Sequence, residues 1–386
     1  MRVLHIITSL GQGGAETLLY NLCSVWAHDK NNEHIIISFT DDGFFDFDRL
    51  GIKCYICPIK ARYSLPWQIL NLPWQILNLR QPILNLRHKI KTIQPDIIKA
   101  WMYPSCLFAH LTASAKIPQI WGIHNEKLLS YHRMSFRLSA RLLPKLQTDS
   151  KPRKIIFVSD VSMKHHLAHG YAADKAILMH NGVDTKKFLP SQKIREDKRR
   201  ALGIEKDNFL IGNFSRFRKV KNHPLLANVF AEILKKHGQA RLVLVGRSMD
   251  NQNKELMALF SDPIFQGKIL FLGEQRDMVA LFNALDCYVL TSHSEAFPLV
   301  LLEVAACGVP AVANNVGDIS KLILDKQFLI ENGKKQDFVQ GIEKIMSWQN
   351  KDLQQYAHKA RQLVQDNFSI ESVAEKYMTI FKQALE

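Results

Sequence analysis

No uninterrupted apolar run in the 386 residues reaches the roughly 18 needed to cross a bilayer, which excludes a spanning helix. The opening stretch, MRVLHIITSLGQGGAE, lacks the longer apolar region and small-residue cleavage site of a secretory signal, so a cytoplasmic location is expected. Cysteine is scarce. Cys23, Cys54, Cys57, Cys106, Cys287 and Cys307 are scattered, and only Cys54 and Cys57 form a CxxC. No second pair or nearby His completes a zinc site, so buried free thiols are expected. Acids are also short: 36 Asp and Glu against 51 Lys and Arg leave a net charge of +15. That balance favours an anionic partner, whether phosphorylated metabolite, nucleic acid or lipid surface. The basic residues do not interleave with aromatics, and the densest run, KIREDKRR at 193–200, contains acids, so nucleic acid is not the expected partner.

What is present is a repeating rhythm. RVLHIIT is followed by a helical pattern from Ala15 to about Ala27, then by HIIISFT, GIKCYICPI, PDIIKAW, IPQIWGI and KIIFVS. Short β-branched runs alternating with longer amphipathic ones indicate a parallel sheet covered on both faces. The rhythm pauses between about Asn181 and Asp207, read as a linker, and restarts with FLIGNFS, RLVLVGR, KILFLG, CYVLTS and PAVANN. The length suits two domains, expected at 1–190 and 191–365. Val373, Tyr377, Ile380, Phe381 and Leu385 have helical spacing, so 366–386 is expected to be a closing helix that packs back on the first domain. LPWQILN at 65–71 recurs at 72–78 and, imperfectly, as LRQPILN at 79–85. Pro66, Pro73 and Pro82 should break a continuous helix there, and the apolar residues do not fit a coiled coil. Trp67 and Trp74 beside the basic RHKIK at 87–91 would suit a membrane interface, or the repeat is an expanded unit partly packed on the first domain.

Three stretches offer chemistry. In GQGGAE, Gly11, Gly13 and Gly14 let backbone approach a ligand, and the following helix N-terminus favours an anion. A dinucleotide fingerprint would need a third glycine where Glu16 stands, and Asp41 and Asp42 lie too far along for its ribose acid. In NFSRFRKVKNH, Arg216 and Lys221 share one loop after a strand, either as a solvated cluster or as a grip on phosphate. In SHSEAFPLVLLEVAACGVP, Glu295 and Glu303 flank the start of a buried helix that Pro298 opens and Gly308 closes. Acids on either side of a helix N-terminus should both be anions, suited to accepting hydrogen bonds from vicinal hydroxyls rather than to acid catalysis of glycoside hydrolysis. Asp46 and Asp48 form a DxD without supporting context, and His165, His166 and His169 read as solvated helix residues.

These motifs, with PDIIKAWMY, WGIHNE, FVSDVS, HNGVD, LVGR and FLGEQRDM in the same order, resemble the retaining glycosyltransferases of family 4. The resemblance implies the α/β GT-B fold, two Rossmann-like doubly wound parallel-sheet domains facing across a cleft. It implies that Arg216 and Lys221 neutralise a leaving diphosphate in place of a metal ion. Glu303 would hold the ribose, and Glu295 with the amides of Phe297, Pro298 and Leu299 would orient the donor sugar. His124 would reach that sugar, Gly13 and Gly14 would line the crevice, and backbone from Gly273 to Arg276 would read the base. Ala296 stands where many members have Gly, and VGDIS at 316–320 replaces the frequent Gly-Gly-x-x-Glu. The implied activity is transfer of a hexose or N-acetylhexosamine from a nucleotide-diphosphate sugar, UDP-linked by expectation, to a lipid-linked cell-surface glycan such as lipopolysaccharide, O-antigen or capsule. No cofactor or metal is implied, and association with the inner membrane would be peripheral. A nucleotide-sugar epimerase of the same fold and a non-catalytic sugar-nucleotide-binding protein are the alternatives.

Overall fold

A computed structural model describes residues 1–40, 43–59, 72–128 and 134–386, apart from the side chains of 72–79 and 134. The first copy of the heptapeptide repeat, with Pro66 and Trp67, therefore lies outside the described residues, as do Asp41 and Asp42 and the side chain of Trp74. The chain divides into two compact units, Met1–Gly182 with Ile370–Glu386, and Val183–Ser369.

In the first unit, β1 (Arg2–Ile7), α1 (Gly14–Trp26), β2 (Glu33–Ser38), β3 (Lys53–Ile56), α2 (Leu72–Ile93), β4 (Ile97–Trp101) and α3 (Met102–Thr112) come first. They are followed by β5 (Gln119–Ile123), α4 (Met134–Leu142), β6 (Lys154–Phe157), α5 (Asp160–Leu167) and β7 (Ala176–Leu178). The strands form one parallel sheet in the order β3-β2-β1-β4-β5-β6-β7. The central strands β1, β4 and β5 are almost wholly buried, which is why they read as unbroken apolar runs. Strand order reverses between β1 and β4, and in open α/β sheets ligands bind outside the strand carboxyl ends at such a point.

The second unit contains α6 (Gln192–Ala201), β8 (Phe209–Phe214), α7 (His223–Lys236), β9 (Ala240–Val245), α8 (Lys254–Leu259), β10 (Ile269–Phe271), α9 (Met278–Ala284) and β11 (Cys287–Leu290). It continues with α10 (Leu299–Ala306), β12 (Ala311–Asn314), β13 (Leu329–Ile330), α11 (Lys335–Met346) and α12 (Asn350–Phe368). Its parallel sheet runs β10-β9-β8-β11-β12-β13, so its reversal lies between β8 and β11. The final helix, α13 (Ile370–Leu385), belongs to the first unit, where it packs on α1 and β4. It buries Val373, Tyr377, Ile380 and Phe381, while Leu385 is exposed.

Several expectations need correction. The linker expected from Asn181 to Asp207 is not a linker: the chain divides after Gly182, and α6 is docked in the second unit. Arg195 and Arg199 in the mixed-charge run both grip Asp286, Arg199 at 3.0 Å, while Asp286 also accepts the amide of Leu210 at 2.7 Å. A partly buried acid just before β11 turns two arginines of the run inward. Nor does Pro82 break a helix, because α2 continues through it. The bond it cannot donate to the carbonyl of residue 78 is offset by Leu86, Ile90 and Ile93, which bury their side chains in the unit's core. His166 is not solvated either. It is fully buried, 2.6 Å from the hydroxyl of Tyr103 and 2.7 Å from the carbonyl of Ser162.

Candidate functional site

The reversal point of the second sheet collects most of the residues singled out in the sequence. β8 ends at Phe214 and delivers Arg216 and, through a short turn, Lys221. The adjacent β11 ends at Leu290 and delivers Glu295, then Pro298 and α10. The two loops are stitched together: the His293 amide donates to the Val220 carbonyl at 2.8 Å, and the Thr291 hydroxyl to the Lys221 carbonyl at 3.0 Å. Across this seam the Lys221 ammonium lies 2.5 Å from Glu295 Oε1, and Ser292 donates its hydroxyl to the same oxygen at 2.6 Å. Arg216 is half-buried and, among the described residues, makes no ion pair. A guanidinium without a counter-ion beside a shared ammonium makes the loop cationic where the first turn of α7 adds its own positive end. His223 in that turn is held neutral, pushed down to about 4 by burial and then by Lys221.

The acid pair departs from expectation. Glu303 sits in α10, is buried, and has no hydrogen-bond partner among the described residues. Burial pushes its carboxyl up to about 8, only partly offset by Lys187, so at neutral pH it is mainly protonated without ligand. The expectation of two anions fails for Glu303 because the helix dipole fades within a turn, while desolvation acts on the whole carboxylate. Pro298 is the residue before α10 rather than part of its first turn, with φ −73° and ψ 122°. Having no N–H, it cannot supply the amide expected of it, which leaves the Leu299 and Val300 amides of the opening turn, which precede any intrahelical acceptor. Phe297 is buried against Phe368 at 5.2 Å, so its ring belongs to the core.

Two supporting residues escaped the sequence reading. Ser292 was passed over as part of a polar turn, though a hydroxyl three residues before an acid is a recognisable local pair. Gly317, in the divergent VGDIS, adopts φ +59°, and a Cβ there would lie 1.9 Å from the Glu295 carbonyl. The neighbouring Asp318 amide donates to the Ala296 carbonyl at 3.1 Å. That loop therefore backs the segment carrying Glu295, and only a residue without a side chain fits. Gly273 and Arg276 follow β10, two strands from β8. Gly273 accepts the Gly246 amide at 2.8 Å, and the Arg247 carbonyl accepts the Phe217 amide at 3.0 Å, so the base-reading segment is tied to the Arg216 loop through β9's end.

In the first unit Gly13 and Gly14 follow β1 and His124 follows β5. The anion expected at the α1 N-terminus is supplied from within: Glu16 folds back so that a Cβ on Gly13 would lie 2.3 Å from its carboxylate, which also accepts the Ser9 hydroxyl at 2.9 Å. Gly14 opens on free space. The His124 ring stacks on Trp101, 5.2 Å between centroids, and among the described residues neither ring nitrogen has a partner. Behind it lies a lysine that PDIIKAW had not marked as special. Lys99 is fully buried, with its ammonium 4.6 Å from the Trp101 ring. Its Nζ lies 2.1 Å, and His124 Nε2 3.2 Å, from the place a Cβ would take on Gly122. Burial, then Lys99, pushes His124 down to about 3, so it is a neutral imidazole whose two buried nitrogens are unsatisfied among the described residues. The six cysteines are free thiols. Among the described residues no group of three or more His, Cys, Asp or Glu is placed to hold a metal, and no helix is long and apolar enough to cross a membrane.

Comparison with known proteins places this geometry. Residues 12–187 match the family described as Glycosyltransferase Family 4, and residues 194–363 match Glycosyl transferases group 1. The chain is 31% identical over 186 residues to the N-acetyl-alpha-D-glucosaminyl L-malate synthase of Bacillus anthracis, covering 47% of this chain and 48% of that protein. It is 25% identical over 214 residues to the capsular polysaccharide biosynthesis glycosyltransferase CapM of Staphylococcus aureus, covering 53% and 54%. These matches span about half the length of each relative. Among solved structures, Anabaena HepE in complex with UDP and glucose superposes with a TM-score of 0.82 at 20% identity, over 99% of this chain and 100% of that one. With two successive family matches, two parallel sheets in the order that fold requires and a basic loop facing an acid pair at the second reversal point, the chain belongs to the group 1 glycosyltransferases of family 4 and has the GT-B fold.

Proposed function

We propose that the protein is a retaining, metal-independent glycosyltransferase that moves a hexose or N-acetylhexosamine from a UDP-sugar to a growing, lipid-linked cell-surface glycan. The observation that carries this reading is the Lys221–Glu295 pair at the β8/β11 reversal, with Arg216 beside it lacking a counter-ion among the described residues. A diphosphate brings the negative charge that Arg216 and Lys221 together can neutralise, doing what a divalent cation does elsewhere. Displaced from Lys221, Glu295 would turn to the sugar hydroxyls, and Glu303, once ionised, would accept from the ribose. His124, neutral and with both ring nitrogens unsatisfied among the described residues, could donate to one sugar hydroxyl and accept from another. In a retaining reaction of this kind the acceptor attacks from the face the leaving group departs, and the diphosphate helps take the proton. UDP in the Anabaena structure supports the choice of nucleotide, and the capsule role in the CapM name supports the acceptor class.

The test incubates the purified protein with a panel of sugar nucleotides, with and without membrane extract, and follows UDP release and the fate of the sugar. Sugar arriving on lipid supports transfer. An epimerised or free sugar without acceptor, or binding with no turnover, would instead favour one of the two alternative readings. Activity abolished by EDTA removes the metal-independent scheme.

A further inference from the structure

We propose that His223 is a positioning residue for Arg216, holding the side chains on both sides of that arginine, Ser215 by a hydrogen bond and Phe217 by ring stacking. This role rests on the reading of Arg216 as a grip on diphosphate. Arg216 makes no ion pair among the described residues, and an arginine side chain has many rotamers, so its direction must be set where it leaves the chain. β8 ends at Phe214. Beyond it the Ser215 amide donates to the Val245 carbonyl at 2.8 Å and the Phe217 amide to the Arg247 carbonyl at 3.0 Å. Amides two residues apart on carbonyls two residues apart keep the spacing of a parallel ladder, in which Ser215 and Phe217 share one side and Arg216 projects from the other.

One ring reaches both members of that side. Asn222, at φ +53° in the left-handed region that asparagine tolerates, turns the chain so that α7 opens with His223. The His223 imidazole is buried; its Nε2 lies 3.0 Å from the Ser215 hydroxyl, and its ring stacks on Phe217 with 5.2 Å between centroids and 24° between planes. The hydrogen bonds beyond Ser215 fix the direction of this chain. The Val289 carbonyl of β11 can only accept, so the Asn213 side-chain amide donates to it at 2.8 Å and turns its own oxygen to the Ser215 hydroxyl, which donates at 3.0 Å. With its hydrogen directed there, Ser215 must accept from His223. The neutral ring, kept so by burial and then by Lys221, therefore carries its proton on Nε2. α7, the Arg216 loop, β8 and β11 are thus joined through a run of polar groups that each find a partner, and such a run specifies a single geometry. A buried histidine could serve packing alone, but packing would not require its partners to be the two residues that bracket a cation.

The full-length protein is assayed for donor-dependent UDP release and, by calorimetry, for UDP binding. His223→Ala, which removes both holds, should lower kcat roughly tenfold to a hundredfold, the upper figure being what a misplacement of about 1 Å can cost, with the donor KM changed less. His223→Gln keeps a donor toward Ser215 and His223→Phe keeps a ring against Phe217, so each should recover part of the loss. In the Arg216→Ala background the same His223 substitutions should cost nothing further, because they act through that guanidinium. Equal losses in both backgrounds would mark His223 as a general support of the fold and overturn the proposal, as would a folded His223→Ala enzyme with wild-type turnover. If His223→Ala does not fold, Ser215→Ala combined with Phe217→Leu decides by the same comparison, since both residues are only half-buried. Wild-type protein that binds no UDP sinks the reading of the loop and this role with it. Normal UDP binding, with Arg216→Ala impaired in turnover and His223→Ala not, sinks this role alone.

Discussion

Lys221 already holds an anion, the carboxylate of Glu295 at 2.5 Å, and a diphosphate reaching the β8/β11 reversal must take that place. The pair is mostly shielded, with side chains 21% and 12% exposed, so breaking it costs on the order of 1 kcal/mol, the upper range for pairs near a surface. We predict that Glu295→Gln tightens UDP binding about fivefold while lowering transfer; calorimetry showing unchanged or weaker UDP affinity would contradict the competition. Lys221→Ala or Arg216→Ala should cost roughly 2.7–4 kcal/mol of transition-state stabilisation, some hundredfold to a thousandfold in turnover. Near-normal turnover in either folded variant removes its assigned role. Glu303 adds a pH dependence. Its carboxyl is raised to about 8 in the ligand-free protein, whereas accepting ribose hydroxyls favours the ionised form, so UDP binding should release a proton and strengthen as pH rises towards 8. The same shift opposes folding, since stability present below the unfolded pKa near 4.5 is lost as pH rises through about 8. Glu303→Gln should accordingly raise the melting temperature more at pH 9 than at pH 6, measured by thermal denaturation, and flatten the pH dependence of UDP binding.

At the scale of elements, α6 and α13 show how a single anchor decides where a helix goes. Arg199 is 9% exposed and donates to Asp286 and to the carbonyls of Ala284, Glu205 and Asn208. Asp286→Ala would leave that guanidinium buried without its counter-charge, at a cost of roughly 3 kcal/mol, read as a lower midpoint in urea denaturation. A change within error would mean the carbonyls suffice. α13 stays with the first unit because Tyr377 and Phe381 are buried beside Trp26 and His5. Neither helix required unusual propensity; each is held by what its inner face meets.

At the scale of the molecule, the two sheets share a winding rule and differ in the residues gathered at their reversal points. The second unit carries the basic loop and acid pair at its reversal point, so UDP should slow hydrogen exchange at residues 215–222 and 292–300. Protection confined to the first unit would overturn the assignment of the diphosphate to the second. Both units are net positive, +9 in the first and +6 in the second.

Composition and periodicity alone determined the alternation of strand and helix, the two-unit organisation and the loops at the strand carboxyl ends, because burial of central strands forces apolar runs and turn glycines mark the strand ends. The placement of Arg216, Lys221, Glu295 and Glu303 after two adjacent strands was legible for that reason. Only the tertiary structure could decide that Lys221 is paired, that burial raises the Glu303 carboxyl, that Gly317 props the loop of Glu295 and that Lys99 stands behind His124. Each depends on groups distant in sequence meeting at a few ångströms, where desolvation and charge act on distance rather than on order along the chain.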